Sequence, residues 1–198
     1  MTYLPGGAPD GRGDGPGTGP HPPKILVAAS SRHGATKGIA EEIGKVLSAG
    51  LPGSQVDVRD PEELNDDGGY CAAVVGSAVY LGHWLEPARH LVEVLGNQPV
   101  KVPLWTFSSG PTGDPPRPAE YPNEGAAIAE RAGAREHVVF AGKLDKHDLK
   151  LSERAVAAMA RVPYGDFRNW PKIREWAQHI AAELAAAGSG SHNGPGVP

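Results

Sequence analysis

Short apolar runs alternate with amphipathic stretches along most of this 198-residue chain, and that alternation limits the folds it can adopt. Five runs are predicted to be β-strands, at 24–29, 55–59, 71–76, 102–107 and 136–141. Apolar residues at helical spacing predict helices over 35–49, 83–96, 124–132, 151–161 and 171–187. Strands interleaved with helices predict an α/β fold: a doubly wound, five-stranded parallel sheet in a three-layer sandwich.

The two ends of the chain differ in composition from its middle. Residues 1–23 contain seven Gly and six Pro with almost no large apolar side chain, and residues 188–198 are similar. Such segments bury too little surface to offset the entropy lost on ordering, so we expect both to be disordered. Residues 24–187 are therefore predicted to form one domain. Asn169 is a candidate cap for the last helix, because Pro171 suits a first helical turn.

Charge and cysteine content exclude several classes of protein. A formal net charge of −4 offers no basic footprint for nucleic acid. The single Cys excludes an internal disulfide, and no stretch resembles a secretory signal or a membrane-spanning helix, so we expect a cytoplasmic protein. The His residues lack metal-ligand spacing with Cys or carboxylates, so no metal is expected.

The segment between the first predicted strand and helix has the composition of a phosphate-binding loop. Its sequence, S-S-R-H-G-A-T at 30–36, leads directly into the helical pattern. Backbone N–H groups of such a loop and of the first helical turn converge on an anion, which the helix dipole also favours. Ser31 and Thr36 would add hydroxyl donors, and Gly34 would permit close approach of the backbone. The alternative is a helix start without a ligand.

Three common phosphate-binding patterns are absent from this loop. Residues 30–38 lack the G-x-G-x-x-G of dinucleotide sites, and no G-x-x-x-x-G precedes Thr36 and Lys37 as a P-loop requires. No carboxylate cluster ends the first strand, as the Mg²⁺ site of a receiver domain would need. What remains is S-x-x-G-x-T between a strand and a helix.

Two further loops follow the third and fourth predicted strands, at 77–84 (SAVYLGHW) and 108–114 (SSGPTGD). As a group, all three loops are rich in Ser, Gly, Thr and aromatic residues, whereas an opposite-end connection such as 61–69 is merely polar. Doubly wound sheets bind ligands beyond the carboxyl ends of their strands. We therefore expect all three loops to form one site.

Together these features resemble the flavodoxin-type FMN-binding domains, over the whole predicted domain. Within that superfamily the chain is most similar to the quinone-dependent protoporphyrinogen oxidase group. Three motifs carry this likeness: S-S-R-x-G-x-T at 30–36, G-S-x-x-x-x-G-H-[aromatic] at 76–84, and G-D-F-R-N-W-x-x-I-x-x-W-A at 165–177.

The resemblance implies FMN as the cofactor and assigns residues to it. The phosphate would be held by Ser31, His33, Gly34, Ala35 and Thr36, with Arg32 either supplementing the charge or pointing into solvent. The ring would lie between two sets of residues: Ser77, Ala78, Val79, Tyr80 and Gly82 on one side, and Ser108, Ser109, Gly110 and Gly113 on the other.

Three side chains of the second loop have alternative roles. Tyr80 and Trp84 are candidates to stack on the flavin, although Trp84 could instead pack on the sheet as the helix begins. His83 is the candidate catalytic residue, as a proton donor to the reduced flavin or a substrate. A histidine at a helix start can equally be structural.

Three functions follow from these expectations. The resemblance implies an oxidoreductase that oxidises protoporphyrinogen IX to protoporphyrin IX with a quinone as acceptor. The alternatives are a flavodoxin-type electron carrier that docks to redox partners, or a scaffold without flavin. Residues 149–159 are Ala-rich with mixed charges, so membrane docking is not expected. A net charge of −4 is small for a carrier that steers itself to basic partners, and this favours the oxidoreductase.

Overall fold

The structure is a computed structural model that describes residues 22–64, 69–110, 112, 124–159 and 161–189. All five predicted strands and all five predicted helices are present. The elements in chain order are β1 (Lys24–Ser30), α1 (Ala35–Gly50), β2 (Gln55–Arg59), β3 (Ala72–Tyr80), β4 (His83–Trp84), α2 (Glu86–Gly96), β5 (Leu104–Ser109), α3 (Gly125–Ala132), β6 (Glu136–Phe140), β7 (Lys143–Leu144), α4 (Leu151–Met159), β8 (Gly165–Asp166) and α5 (Trp170–Ser189). A 3-10 helix, Pro61–Glu63, follows β2.

Five strands form the central sheet in the order β2-β1-β3-β5-β6, and every neighbouring pair on that path is parallel. The chain winds outward in one direction from β1 to β2 and then in the other from β3 to β6. Strand order therefore reverses between β1 and β3, which is where such sheets bind ligands. The predicted doubly wound fold is confirmed. β4 pairs antiparallel with β3 at the end of that strand, and β7 and β8 form a separate two-stranded antiparallel sheet.

Two apolar cores flank the sheet, because alternate residues of each strand point to opposite faces. On one face Ile25, Val27 and Ala29 of β1 pack with residues of α1 and α5. On the other, Leu26 and Ala28 pack with residues of α2 and α3. Both faces are covered, which explains why the central strands are apolar almost throughout.

An aromatic cluster fixes α5 against the sheet. The rings of Phe107, Phe140 and Trp176 lie 5.6–6.2 Å apart between centroids, in tilted and edge-on arrangements. Gly76 of β3 makes room for it, since a Cβ there would lie 2.1 Å from the Phe107 ring. At the start of α5, Asn169 Oδ1 accepts a hydrogen bond from the Lys172 N–H at 3.1 Å, so the predicted cap is confirmed.

The prediction was wrong about where two strands end. β3 continues to Tyr80 and β5 to Ser109, so residues 77–80 and 108–109 are strand rather than loop. The helix predicted from residue 83 begins at Glu86, because His83 and Trp84 pair back onto β3 as β4. In the sequence, a serine-rich strand end has the composition of a loop, because the buried groups that bond its hydroxyls lie elsewhere in the chain. No helix in the described part of the chain is both long enough and apolar enough to cross a membrane.

Candidate functional site

The β1–α1 loop presents an open helix start at the point where strand order reverses. Gly34 stands at the N-cap position of α1 with φ +78°, and a Cβ there would meet nothing within 4 Å. α1 has no side-chain cap, and its first turn contains no acidic residue. α2 also lacks a side-chain cap, but its first turn contains Glu86 and Pro87, which supply a negative charge and remove one N–H donor. Of these two helix starts, that of α1 is the one suited to an external anion.

A carboxylate from α4 sits beside this loop. Glu153 lies 3.4 Å from a guanidinium nitrogen of Arg32 and 3.5 Å from His33 Nε2. The same side chain accepts a hydrogen bond from the Lys150 N–H at 2.9 Å, at the start of α4. That hydrogen bond, with the charges of His33 and Arg32, outweighs desolvation and holds the pKa of Glu153 below its ordinary value. The loop therefore carries basic side chains that are already partly neutralised.

Arg32 also joins the β1–α1 loop to the end of β3. Its guanidinium carbon lies 4.0 Å from the centroid of the Tyr80 ring, within cation–π range. Tyr80 is half-buried, so part of its surface remains exposed beside that contact. The Arg32 side chain is 45% exposed while its guanidinium contacts both Tyr80 and Glu153, so both predictions for Arg32 stay predictions.

A tight hairpin carries the second predicted segment. Tyr80 pairs with His83, and the two residues between them, Leu81 and Gly82, have φ of 51° and 87°. Two successive residues with positive φ are typical of the hairpin turns that match strand twist. Leu81 adopts this conformation without being glycine and is 70% exposed. The turn therefore projects an apolar side chain at the edge of the site.

Glu124, which immediately precedes α3, fastens this hairpin. Its Oε2 lies 3.0 Å from His83 Nδ1, and its Oε1 accepts the Trp84 N–H at 2.8 Å. Its own N–H donates to the Gly82 carbonyl at 3.2 Å. Burial raises the pKa of Glu124, but the hydrogen bonds from His83 and Trp84 outweigh burial and lower the pKa overall. Sequence reasoning missed Glu124, since 41 residues separate it from His83.

Three serines lie side by side across the central strands. Ser30 of β1 is the register partner of Ser77 in β3, and Ser77 is the partner of Ser108 in β5. Ser77 Oγ accepts the Leu85 N–H at 2.9 Å, and Ser108 Oγ accepts Trp84 Nε1–H at 2.8 Å. Ser30 Oγ is buried and has no hydrogen-bond partner in the described part of the chain. The hydroxyl groups of Ser77 and Ser108 thus hold the β3–β4 hairpin against the central strands.

His137 of β6 extends this buried network. Its Nδ1 lies 2.8 Å from Thr106 Oγ1 and its Nε2 3.2 Å from Ser108 Oγ. Burial lowers the pKa of His137, so the ring is neutral at neutral pH. Nothing in the sequence marks His137 as a buried residue, because its hydrogen-bond partners lie on another strand.

Exposure separates the predicted contact residues into two groups. Surface remains at Ser31, Arg32, His33, Gly34, Ala35, Ala78, Val79, Tyr80, Gly82 and His83. Thr36, Ser77, Trp84, Ser108, Ser109 and Gly110 are buried. Trp84 is 3% exposed and packs in the core next to α2, which revises its predicted stacking on the flavin in favour of the alternative.

The third predicted loop is only partly described. Gly110 donates its N–H to the Phe140 carbonyl at 2.9 Å, and Thr112 Oγ1 donates to the Pro163 carbonyl at 3.3 Å. These contacts hold the end of β5 beside β6 and the segment before β8. Gly113 lies outside the described residues. Within the described residues, no group of three His, Cys, Asp or Glu side chains is arranged to hold a metal.

The loop residues fit the phosphate of FMN. An uncapped first turn offers N–H donors, Gly34 leaves open space in front of them, and basic side chains stand beside them without closing that space. The buried hydroxyl of Ser30, which has no partner among the described residues, adds unsatisfied hydrogen-bonding capacity at the same strand end. The Tyr80 ring, two residues before Gly82, offers a flat apolar surface next to this end.

Comparison with known proteins agrees with this geometry. The family model described as a flavodoxin domain matches residues 26–166. A flavodoxin from the domain Archaea superposes with a TM-score of 0.56 at 18% identity, over 82% of this chain and 99% of that one. The flavodoxin of Streptococcus pneumonia TIGR4 gives a TM-score of 0.54 at 18% identity, over 83% and 98%. No curated protein matches the sequence.

A larger protein also contains this fold. The rubredoxin oxygen:oxidoreductase of Desulfovibrio gigas gives a TM-score of 0.56 at 15% identity, covering 84% of this chain but 37% of that one. Identities this low show a shared fold and nothing finer. The family match carries the cofactor: a flavodoxin domain binds FMN, so the predicted cofactor is confirmed.

Proposed function

The chain belongs to the flavodoxin domain family, and from that premise we propose that it is an FMN-dependent oxidoreductase with its phosphate site in the β1–α1 loop. The observation that carries this proposal is the open start of α1 at the point where strand order reverses. When bound, FMN supplies the capacity to accept and release electrons, while the protein sets orientation and access.

The exposed loop residues would hold the phosphate end. Backbone N–H groups at Gly34, Ala35 and Thr36 are the donors, because the first helical turn leaves them without intrahelical partners. Ser31 adds a hydroxyl and Arg32 adds a positive charge, and Glu153 contacts both Arg32 and His33. Thr36 is 1% exposed, so its side chain supports the turn from within.

The β3–β4 hairpin would form one wall of the ring site. Ala78, Val79, Tyr80 and Gly82 keep exposed surface there, whereas Ser77, Trp84 and Ser108 support the hairpin from beneath. On the other side, Ser109 and Gly110 mark where the second wall begins. The Trp84 and Glu124 contacts hold the hairpin before any ligand arrives, which lowers the entropy lost on binding.

His83 is suited to hold a proton at the edge of this site. Its side chain is 71% exposed, and Glu124 engages Nδ1 at 3.0 Å. A carboxylate at Nδ1 favours a proton on that nitrogen and leaves Nε2 as the atom that exchanges a proton with substrate. His83 is therefore our candidate general acid–base residue.

The substrate proposal rests on motif resemblance rather than on the structural comparisons. The motifs at 30–36, 76–84 and 165–177 resemble those of the quinone-dependent protoporphyrinogen oxidases. Protoporphyrinogen IX with a quinone acceptor is therefore the reaction to test first. An electron carrier is the second candidate, because the exposed Leu81 beside the ring wall is an apolar contact that a partner protein could cover.

Flavin titration tests the site. The purified protein should quench FMN fluorescence on binding and bind FMN more tightly than riboflavin, because riboflavin lacks the phosphate. Equal affinity for the two flavins would show that the β1–α1 loop does not hold the phosphate.

Anaerobic turnover tests the reaction. Protoporphyrinogen and menaquinone should yield porphyrin fluorescence above a protein-free control, and His83→Gln should lower the rate while leaving FMN bound. If porphyrin does not form but the reduced flavoprotein passes electrons to a redox protein, the carrier is the correct function. A protein that binds no flavin would leave only the scaffold.

A further inference from the structure

The motif at 165–177 contains an arginine that reaches the start of α1. Arg168 Nη1 donates a hydrogen bond to the Ala35 carbonyl at 3.2 Å, across 133 residues of sequence. Ala35 is the first residue of α1 and directly follows Gly34. The side chain of Arg168 is 13% exposed, so this contact is largely shielded from water.

Two neighbours hold the guanidinium in place. Asp166 accepts from Nε at 2.8 Å and from Nη2 at 2.6 Å, a bidentate pairing. The Trp170 ring lies 4.4 Å from the guanidinium carbon. Because both the plane and the fork of the group are fixed, the N–H groups of Nη1 point in fixed directions, and one of them meets α1.

Gly38 of α1 leaves space for this arrangement. A Cβ at Gly38 would lie 2.8 Å from Arg168 Nη1, closer than side-chain carbons approach a nitrogen. Gly38 also donates its N–H to the Gly34 carbonyl at 3.0 Å, so it belongs to the same first turn. The first turn of α1 and the guanidinium are therefore packed directly against each other.

We propose that Arg168 is a positioning residue for the phosphate end of the FMN site. It fixes the first turn of α1, whose N–H groups hold the phosphate in the proposed function, on which this inference rests. The Asp166 carboxylate neutralises Arg168, so the effect is geometric rather than a long-range attraction of the phosphate. This also assigns a role to the late motif: Asp166 and Trp170 orient the arginine, and Asn169 caps the helix that follows.

Two flavins separate positioning from general destabilisation. Arg168→Ala should weaken FMN binding about tenfold and leave riboflavin binding within about twofold, because only FMN uses the phosphate donors. The FMN affinity of Arg168→Lys should lie between those of the wild type and Arg168→Ala, since an ammonium group keeps the positive charge but not the forked arrangement of N–H donors. The FMN effect should persist in high salt, whereas electrostatic steering would be screened.

Arg174→Ala is the matched control. Arg174 of α5 pairs with Glu42 of α1. Like Arg168, it connects the C-terminal part of the chain to α1, but it lies away from the first turn of α1. Its removal should leave the affinities for both flavins unchanged. An equal loss of FMN affinity in the two variants would reduce Arg168 to a general helix contact and overturn the inference.

Gly38→Ala supplies a test that does not depend on the stability of Arg168→Ala. The added methyl should displace Arg168 and weaken FMN binding in the wild-type background, and it should cost much less in the Arg168→Lys or Arg168→Ala background. Strictly additive effects would contradict the contact. A wild-type protein that fails to bind FMN would overturn the proposed function and this inference together. Wild-type binding with no loss in any Arg168 variant would overturn this inference alone.

Discussion

Two helices on the same face of the sheet begin in opposite ways. α5 is capped by its own sequence, since Asn169 Oδ1 accepts the Lys172 N–H at 3.1 Å. α1 begins at Gly34, whose φ is +78° and which has no side chain to offer. Arg168 lies between them and contacts the first turn of α1. In this pair, the start of α5 satisfies one of its own donors, whereas the start of α1, which is proposed to serve a ligand, leaves its donors available.

The largest expected effect comes from giving α1 a cap that competes with the phosphate. Gly34→Asp places a carboxylate at the helix start, where two unit charges about 4 Å apart interact by about 4 kcal/mol at an intermediate dielectric. FMN affinity should therefore fall by at least about 100-fold, as measured by fluorescence titration. Gly34→Asn is the control, because it tolerates the same backbone conformation without the charge. Equal FMN affinities for the two variants would show that the phosphate does not bind at this loop.

A smaller loss is expected from the hydroxyl inside the first turn. Thr36→Val keeps the shape of a side chain that is 1% exposed and removes its hydroxyl. We expect FMN binding to weaken about tenfold, with riboflavin binding unchanged. Thr106→Val, at an equally buried threonine that contacts His137, should lower stability without this flavin selectivity. A role for Thr36 at the phosphate would be contradicted if both variants, or neither of them, lost FMN affinity without losing riboflavin affinity.

Removing the cap of α5 should lower the stability of the protein without changing its affinity for flavin. Asn169→Ala should lower the free energy of unfolding by about 1 kcal/mol and leave the FMN affinity within about twofold. Asn169→Asp retains an acceptor and should keep most of the stability. Chemical denaturation and flavin titration on the same preparations provide both measurements. A loss of flavin without a loss of stability would show that the two helix starts do not divide these roles.

The smallest effect is expected at Glu153, which both caps α4 and contacts the β1–α1 loop. Glu153→Gln should improve FMN affinity up to about threefold at low salt, because a neutral amide no longer offsets the positive charge of Arg32, and the gain should vanish near 0.5 M salt. Glu183→Gln is the control, since Glu183 also pairs with an arginine and a histidine but lies on α5.

The same variant has a defined pH dependence. The pKa of Glu153 is lowered in the folded protein, so its stabilising contribution is complete above its ordinary value of 4.5 and is lost as the pH falls below that. Glu153→Gln should therefore unfold with a shallower acid limb than the wild type. A difference in stability between Glu153→Gln and the wild type that appears only above pH 7 would contradict this role for Glu153.

The sequence predicted the sheet and the position of the loop between its first strand and first helix, because both depend on local pattern. Apolar runs marked all five parallel strands, and the S-x-x-G-x-T spacing marked the loop whose glycine has positive φ. Predictions failed where a residue's role depends on a distant partner. Trp84 appeared free to stack on a flavin, but Ser108 of β5 accepts its indole N–H and the core encloses it.

What the sequence determined by itself is the order of strands and helices along the chain, the glycine at the start of α1 and the asparagine that caps α5. Each follows from the chemistry of a few consecutive residues, namely side-chain periodicity, a glycine at a helix start, and an asparagine before Pro171. Only the tertiary structure decided that Glu124 holds His83, that Glu153 pairs with Arg32, and that Arg168 reaches Ala35. These contacts join residues 41, 121 and 133 positions apart, and chain folding rather than local preference brings such residues within hydrogen-bonding distance.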